Sequence, residues 1–140
     1  CLPAGAEDAG ARLAALLERL GARPLLLDPD THDAVVALTS HLPHVIACAL
    51  AAQVLGAQDQ ALARAFIAGG FRDTTRIAAA NTAMWRDILL TNRDNLVREL
   101  NAMLASLTQW RDALRAGDEP VLDALLTTAH TLREELGPKA

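Results

Sequence analysis

Apolar side chains recur at helical spacing along most of the chain. They repeat every three or four positions over residues 7–20 and again over residues 84–89, as expected for helices that bury one face. Between residues 31 and 55, small and apolar residues would occupy almost every face of a helix, which is typical of a buried, central one. At ~1.5 Å per residue such a helix is roughly 37 Å long. Gly21 and Gly56 follow the first and the central helix and are predicted to end them.

One short segment departs from this pattern. Residues 22–27 form an apolar run that is too short for a helix and is closed by Asp28, so we expect a strand. A lone strand after a helix is typical of the end of an α/β layer. The predicted fold class is therefore mainly α, with residues 1–30 as a helix-strand remnant of an α/β nucleotide-binding domain and residues 31–140 as a helical domain.

Two heptad-like repeats occupy the C-terminal part of the chain. Apolar residues alternate at spacings of four and three from Leu96 to Leu114, and again from Leu122 to Leu136. Gly117 predicts a short turn between the two helices. Such helices are typical of an antiparallel pair whose remaining apolar surface suits a second copy of the chain, and we expect a homodimer.

Composition and charge narrow the classes of function. The formal net charge is −4 and aromatic residues make up 3% of the chain, so it has neither a basic field nor stacking side chains for nucleic acid. No uninterrupted apolar stretch reaches the ~18 residues of a membrane span. Cys1 and Cys48 lack a metal-type spacing, and Cys48 lies in an apolar run, which fits a reducing cytoplasm.

Three aspartates, Asp28, Asp30 and Asp33, lie around the start of the central helix. Their spacing is similar to part of a calcium loop, but the glycine in mid-loop and the closing glutamate are missing. We interpret them as turn and cap residues, with Asp30 or Thr31 as the residue that caps the helix.

Histidines are concentrated in one part of the central helix. His41 and His44 flank a proline, Pro43, which is expected to kink or locally open the helix. Ser40 and His44 are four apart and so share a helical face, while His41 lies to the side. The group could line a pocket for a small polar ligand, or the histidines could bond to carbonyls that the proline frees. A metal site is not expected, because no third ligand follows at a suitable spacing.

A second polar segment follows Gly69-Gly70, where we expect the helical pattern to break. Arg76 lies one helical turn past Asp73, so the two could pair on a solvated face. Alternatively, Arg76 could offer its planar guanidinium to a ligand carboxylate. A tryptophan at helical spacing such as Trp85 is more often part of the core than a surface on which a ligand stacks.

Several motifs then occur in a fixed order. Their residues are Ser40-His41-Leu42-Pro43-His44 and Gly69-Gly70-Phe71-Arg72-Asp73-Thr74-Thr75-Arg76-Ile77-Ala78, with His32-Asp33, Met84-Trp85-Arg86-Asp87-Ile88 and Asn92. In this order they resemble the helical C-terminal region of prephenate and arogenate dehydrogenases, through most of residues 22–100. Residues 101–136 match that family as a helical pattern alone.

The resemblance implies an oxidative decarboxylation in tyrosine biosynthesis that uses NAD or NADP. A hydride would leave the ring carbon that bears the hydroxyl group of prephenate or arogenate, and carbon dioxide would leave the opposite carbon. Tyrosine is a possible inhibitor. By the same similarity Arg76 would bind the ring carboxylate, with Asp73 positioning it, and Trp85 would help to shape the site. The pocket toward the substrate's polar groups would be lined by Ser40, His41 and His44.

The chain also departs from the family pattern. It contains no GxGxxG after a predicted strand, so the dinucleotide fingerprint is absent. The family's proton-accepting histidine lies in the nucleotide-binding domain and has no counterpart in this sequence. We therefore assign no catalytic, cofactor-binding or metal-binding residue here, and expect this chain alone to be inactive. Two alternatives remain: a helical interaction module without a ligand, and a metal-dependent hydrolase built on the HxxH spacing.

Overall fold

The computed structural model describes residues 7–57 and 59–137, and these residues are almost entirely helical. The first part contains α1 (Glu7–Arg19), α2 (Pro29–Val36), a π-helical turn (Ala37–His41), α3 (Leu42–Leu55) and α4 (Gln60–Ala65). After these come α5 (Gly69–Thr75), a 3-10 turn (Arg76–Ala79), α6 (Thr82–Thr91), α7 (Arg93–Ala116) and α8 (Glu119–Glu135). The chain divides between Asn95 and Leu96 into two compact units.

The strand expected over residues 22–27 does not form. Residues 22–28 follow α1 without regular structure, and the described residues contain no β-strand at all. Leu25 and Leu26 are 77% and 84% exposed, so these two leucines are largely uncovered by the residues that the structure describes. A strand without a hydrogen-bonding neighbour is not stable by itself, which explains the difference.

The central helix begins two or three residues earlier than predicted. Asp28 is the N-cap: its Oδ1 accepts a hydrogen bond from the Thr31 backbone N–H at 2.9 Å, and Pro29 occupies the first helical position. This hydrogen bonding lowers the pKa of the Asp28 carboxyl. The prediction of Asp30 or Thr31 as the cap was wrong, because proline supplies a helical φ and lacks an N–H that would need a partner.

Helices α2 and α3 and the π-turn form one continuous helix, Pro29–Leu55. By length and apolar composition this helix could cross a membrane, a test that the core helix of a globular protein also passes. Its buried polar residues, His41 and His44, lie at the end of the π-turn and the start of α3. The helix is 27 residues long, and it continues through the polar residues that interrupt the apolar runs of the sequence.

Pro43 opens this helix locally, as predicted, but without ending it. The N–H of Leu42 bonds to the carbonyl of Ala37, five residues back, so the turn is one residue wider than an α-turn. Proline removes a donor and its ring crowds the carbonyl four residues earlier, and the wider turn relieves that crowding. Thr39 Oγ1 also donates to the Val35 carbonyl at 2.8 Å.

The core of the first unit lies along the same helix. Ala37, Leu42 and Ala47 are buried, and α3 packs against α4, α5 and the 3-10 turn. Gly69 and Gly70 do not break the helical pattern as expected. They form the first turn of α5, whose N-cap Ala68 is extended.

The second unit contains most of α7 and all of α8. The turn between them is a Schellman motif, in which Gly117 adopts a φ of +64° and the Asp118 N–H bonds to the Ala113 carbonyl at 3.0 Å. Asp118 then caps α8 by accepting from the Val121 N–H at 3.1 Å. Leu96 and Ala113 are buried, whereas the later apolar positions of both repeats are largely uncovered. These exposed positions include Leu107, Leu114, Leu132 and Leu136.

Candidate functional site

His44 is the centre of a buried aromatic cluster. Its ring stacks on Trp85 of α6 with the centroids 3.5 Å apart and the planes 2° from parallel. His44 Nε2 lies 3.5 Å from the Cys48 sulfur, one turn further along α3. The other ring nitrogen, Nδ1, is buried and has no hydrogen-bond partner in the described chain. A buried nitrogen without a partner costs about 1–3 kcal/mol, which makes this atom a candidate ligand contact.

His41 meets the same tryptophan from a second direction. The two rings are perpendicular, with their centroids 6.1 Å apart. His41 Nδ1 lies 3.3 Å from the side-chain amide nitrogen of Asn92, at the end of α6. The π-turn and α3 therefore present both histidines to one side chain of α6. Neither recorded partner of His41 or His44 is a backbone carbonyl that Pro43 could have freed.

Burial of His41 and His44 shifts the pKa of both imidazoles. Burial lowers the pKa of His44 below its ordinary value. Burial also lowers the pKa of His41; the carboxylate of Asp33 opposes this shift and His32 adds to it. The Asp33 carboxylate is itself 2.9 Å from His32 Nδ1, and both of those side chains are about half exposed. Neutral imidazoles, able to donate and accept hydrogen bonds, are thus favoured at both buried positions.

A cavity of about 470 Å³ opens beside His44 and Trp85. Its wall is mostly apolar, with the imidazole, the Cys48 thiol and the Arg86 guanidinium as its more polar edges. This size and composition suit a small, ring-sized ligand with few polar groups. The remaining lining residues are Val45, Ala78, Ala80, Thr82, Leu89 and Leu90.

The structure brings together His41, His44 and Trp85, but leaves three other predicted site residues on the surface. Ser40 is exposed and does not line the cavity. The expected shared face of Ser40 and His44 assumed α-helical spacing, whereas the π-turn inserts an extra residue there. Asp73 and Arg76 are both exposed, and no ion pair joins them in the described chain. Arg76 begins the 3-10 turn, whose Ala78 lines the cavity.

Sequence reasoning missed the roles of two residues. Cys48 was interpreted as a plain core residue, yet its thiol contacts His44. Its i, i+4 spacing from His44 was the available signal. Asn92 was part of a motif without an assigned role, and it contacts residues 51 and 59 positions earlier in the chain. Spacing cannot reveal a contact at that separation.

The described residues contain no candidate metal site. No group of three or more histidine, cysteine, aspartate or glutamate side chains converges there as a metal ligand set. His41 and His44 meet Asn92 and Cys48 instead, so the HxxH spacing does not place two imidazoles on one point in this fold.

Comparison with known proteins gives one family. The family model described as "Prephenate dehydrogenase, dimerization domain" matches residues 28–128. A prephenate dehydrogenase of Bacillus subtilis is 34% identical over 131 residues, which are 93% of this chain and 35% of that protein. A cyclohexadienyl dehydrogenase of Zymomonas mobilis is 41% identical over 103 residues, 72% of this chain and again 35% of the relative. The chain thus spans about a third of the length of these relatives.

Solved structures show the same fold. The crystal structure of Synechocystis arogenate dehydrogenase superposes with a TM-score of 0.81 at 30% identity, covering 92% of this chain and 48% of that one. The prephenate dehydrogenase from A. aeolicus, in complex with hydroxyphenyl propionate and NAD+, gives a TM-score of 0.80 at 28% identity, with 93% and 46% covered. With the family model spanning most of its length, this chain belongs to the prephenate dehydrogenase family, in the region of the dimerization domain.

Proposed function

We propose that this chain is the substrate-binding and dimer-forming domain of an NAD(P)-dependent prephenate or arogenate dehydrogenase of the cytoplasm. In the longer protein it would hold the substrate during the oxidative decarboxylation that leads to tyrosine. The proposal is supported by relatives named as prephenate, cyclohexadienyl and arogenate dehydrogenases. Further support comes from the solved relative whose complex contains hydroxyphenyl propionate, a ring compound of comparable size.

The observation that carries the proposal is His44 at the wall of the cavity. The imidazole is stacked flat against Trp85, which fixes the plane of its ring, and its Nδ1 has no hydrogen-bond partner in the described chain. This nitrogen has almost no accessible surface, so a substrate oxygen in the cavity would bond to it only once the ring turned toward the cavity. The Trp85 ring and the apolar wall would meanwhile cover the carbon ring of the substrate.

Arg76 is proposed to bind the ring carboxylate. Its guanidinium is exposed and forms no ion pair with Asp73 in the described chain, so it is available to an anionic ligand. A charged, planar donor suits a carboxylate that must be held until it departs as carbon dioxide. Ser40 and His41 would add polar contacts, and Asp73 would position the arginine once the substrate is bound.

The cofactor is proposed to bind outside this sequence. A dinucleotide needs a strand, a glycine-rich turn and a helix, and the described residues supply neither a strand nor that turn. The residues present do not fit NAD or NADP, and we assign none of them to it. This chain alone is accordingly proposed to be inactive.

Residues 1–30 are proposed to complete that nucleotide-binding domain. The exposed leucines of residues 25 and 26 support this, because they would be covered if the segment joined a sheet. The apolar face of α1 is likewise uncovered, with Leu13 and Leu16 each about half exposed. Both features fit a segment whose packing partners lie elsewhere in the longer protein.

Assembly as a homodimer is the second part of the proposal. Leucines of α7 and α8 are more than half exposed, among them Leu107, Leu114 and Leu132, and the matching family model is described as a dimerization domain. A second copy of the chain would bury that surface.

The decisive experiment restores the nucleotide-binding half and measures reduction of NAD or NADP with prephenate and with arogenate. Leaving a substrate carboxylate unpaired costs about 2–5 kcal/mol, so Arg76→Ala is expected to lower kcat/KM about 30-fold or more. Arg64→Ala, an exposed arginine on α4, is the matched control and should keep full activity. Full activity in Arg76→Ala would overturn the assigned role.

The uncovered α7 and α8 surface also favours a second candidate, an interaction module without a ligand of its own. Calorimetric titration of prephenate, arogenate and tyrosine into the chain separates the two candidates. Heat with prephenate or arogenate that is lost in Trp85→Ala supports substrate binding, and heat with tyrosine would support feedback inhibition at this site. No heat with any of them at millimolar concentration favours the interaction module.

A further inference from the structure

Asn92 is a buried polar residue that joins three parts of the first unit. It ends α6 and is 7% exposed. Its side-chain nitrogen donates to the Asp33 carbonyl at 2.7 Å and lies 3.3 Å from His41 Nδ1. Its oxygen accepts from the Asn95 side chain at 2.9 Å. Both N–H groups and the oxygen of this amide therefore have a neighbour. The nitrogen is held by Asp33 and His41, and the oxygen by Asn95.

The orientation of the amide follows from its neighbours. The Asp33 carbonyl can only accept a hydrogen bond, so the nitrogen of Asn92 must face it. The flipped amide would bring two oxygens to 2.7 Å. The second N–H of the same nitrogen then faces His41 Nδ1. That contact is a hydrogen bond only when Nδ1 carries a lone pair, because a proton there would oppose the N–H of Asn92.

From this geometry we propose that Asn92 is a positioning residue that holds His41 as the neutral tautomer protonated on Nε2. His41 Nε2 forms none of the hydrogen bonds of the described chain, so the fixed proton makes it a donor without a partner. His41 contacts Trp85 of the cavity wall but does not itself line the cavity beside His44. Resting on the proposed function, the consequence is that His41 offers its N–H to an acceptor oxygen, such as a carboxylate or a hydroxyl oxygen, of a substrate that extends past Trp85 toward it.

The charges around His41 are compatible with a neutral ring. The groups that act on it electrostatically are Asp33 and His32, which lie on its own helix. From α6 it meets Trp85 and Asn92, neither of which is charged. Burial is the largest influence on its pKa and lowers it. A neutral imidazole still has two possible tautomers, and among its neighbours the Asn92 amide is the group that distinguishes them.

A purely structural role for Asn92 would leave the tautomer open. In that case the amide would tie α6 to the Asp33 carbonyl, and the His41 ring would sample both tautomers. The position of the histidine proton is therefore the property to measure, since a loss of stability alone would fit either role.

The test is long-range proton–nitrogen correlation NMR on the 140-residue chain, labelled with ¹⁵N-histidine. It is recorded at about pH 8, well above the ordinary histidine pKa of about 6.5. His41 is assigned by the signal lost in His41→Gln. We expect Nε2 protonated and Nδ1 bare in one dominant form, while His130, exposed on α8, provides the in-chain reference for a solvated ring. Two results would overturn the proposal: a His41 ring protonated on Nδ1, or a His41 ring that exchanges between the two tautomers as the His130 ring does.

Asn92→Asp changes the predicted proton position. The carboxylate can only accept, so His41 is expected to become protonated on Nδ1 and to stay charged to higher pH. Asn101→Asp adds the same charge at an exposed site on α7 and should leave His41 unchanged. Circular dichroism checks the fold. A folded Asn92→Asp protein whose His41 keeps a bare Nδ1 contradicts the proposal, and if that variant unfolds, the spectrum of the unsubstituted chain still decides.

These measurements need no substrate, so the two proposals fail separately. A bare Nδ1 on His41 together with no dehydrogenase activity in the restored protein would overturn the proposed function and leave the role of Asn92 intact. A normal response to Arg76→Ala together with a mixed His41 tautomer would do the reverse.

Discussion

The two compact units of the chain differ in the polar side chains that they bury. In the first, His41, His44 and Asn92 are each less than a tenth exposed. In the second, the buried residues of the described chain are apolar, Leu96 and Ala113, and large leucines are exposed as they also are in the first: Leu132 and Leu136 are 61% and 75% exposed. Burying a polar group costs free energy unless a hydrogen-bond partner meets it. Exposing leucines costs free energy unless another surface covers them.

The difference indicates what each region lacks. Buried imidazoles, one with a nitrogen that has no partner in the described chain, call for a small ligand with hydrogen-bonding oxygens. On the proposed function, a second copy of the chain would cover the exposed leucines of the second unit. The buried imidazoles of the first unit would meet the substrate.

The largest expected effect is on assembly. Leu132→Asp should convert a dimer into a monomer, because burying a leucine contributes about 1.5–3 kcal/mol and a symmetric interface loses it twice. Dissociation should become about 100-fold easier or more, as measured by light scattering over a dilution series. Leu62→Asp, at an exposed leucine of α4, should remain dimeric. A chain that is monomeric before any substitution would refute the role given to the second unit.

A smaller effect is expected from overpacking the first unit. Ala47 is 1% exposed, so Ala47→Leu should lower the free energy of unfolding by about 1–3 kcal/mol. Ala49→Leu, two residues further along α3 and exposed, should change it little. Urea unfolding measures both. Equal effects at the two positions would mean that α3 is not packed on one side as described.

Removing the cap of α8 should cost about 1 kcal/mol. Asp118→Ala deletes the acceptor of the Val121 N–H, and a lost N-cap is worth about that much. Asp123→Ala, exposed within α8, keeps the cap and should be nearly neutral. The comparison of thermal midpoints shows whether the second unit has stability of its own. No difference between the two variants would argue that α8 is frayed at its start.

Acid should weaken the first unit through its histidines. The pKa values of His41 and His44 are lowered in the folded chain relative to an ordinary 6.5, so the unfolded chain binds more protons as the pH falls below that value. The free energy of unfolding is therefore expected to fall between about pH 7 and the lowered pKa values, and then to level off. Urea unfolding across this range measures it. His130→Gln, in the second unit, should keep the decline, and stability that rose on acidification would contradict it.

Much of the fold could be predicted from local patterns. Gly21 and Gly56 end their helices as expected, and Gly117 forms the predicted turn between α7 and α8 with a φ of +64°. These features depend on a few neighbouring residues, which the sequence displays directly. The prediction of a strand over residues 22–27 was wrong because a strand needs a hydrogen-bonded neighbouring strand, and the described residues contain none.

The candidate site was predictable in part. His44 was identified from its burial on an apolar helix beside Pro43, and the resemblance to a family added Trp85. Two features were beyond local reasoning. The π-turn moves Ser40 out of step with His44, and the contact of Asn92 with His41 joins positions far apart in the chain. Neither a widened turn nor a long-range amide contact has a period that could be read from residue spacing.

The π-turn also determines where this helix can change in length. A π-turn amounts to one extra residue within an α-helix, so losing a residue from Ala37–His41 would restore an α-turn and leave both flanking segments in register. Losing a residue elsewhere between Pro29 and Leu55 would rotate everything beyond it by about 100°. The shortened turn would again bring the ring of Pro43 against the carbonyl four residues before it, so the helix is expected to kink there. The extra residue of the π-turn therefore lets this proline lie within a continuous helix.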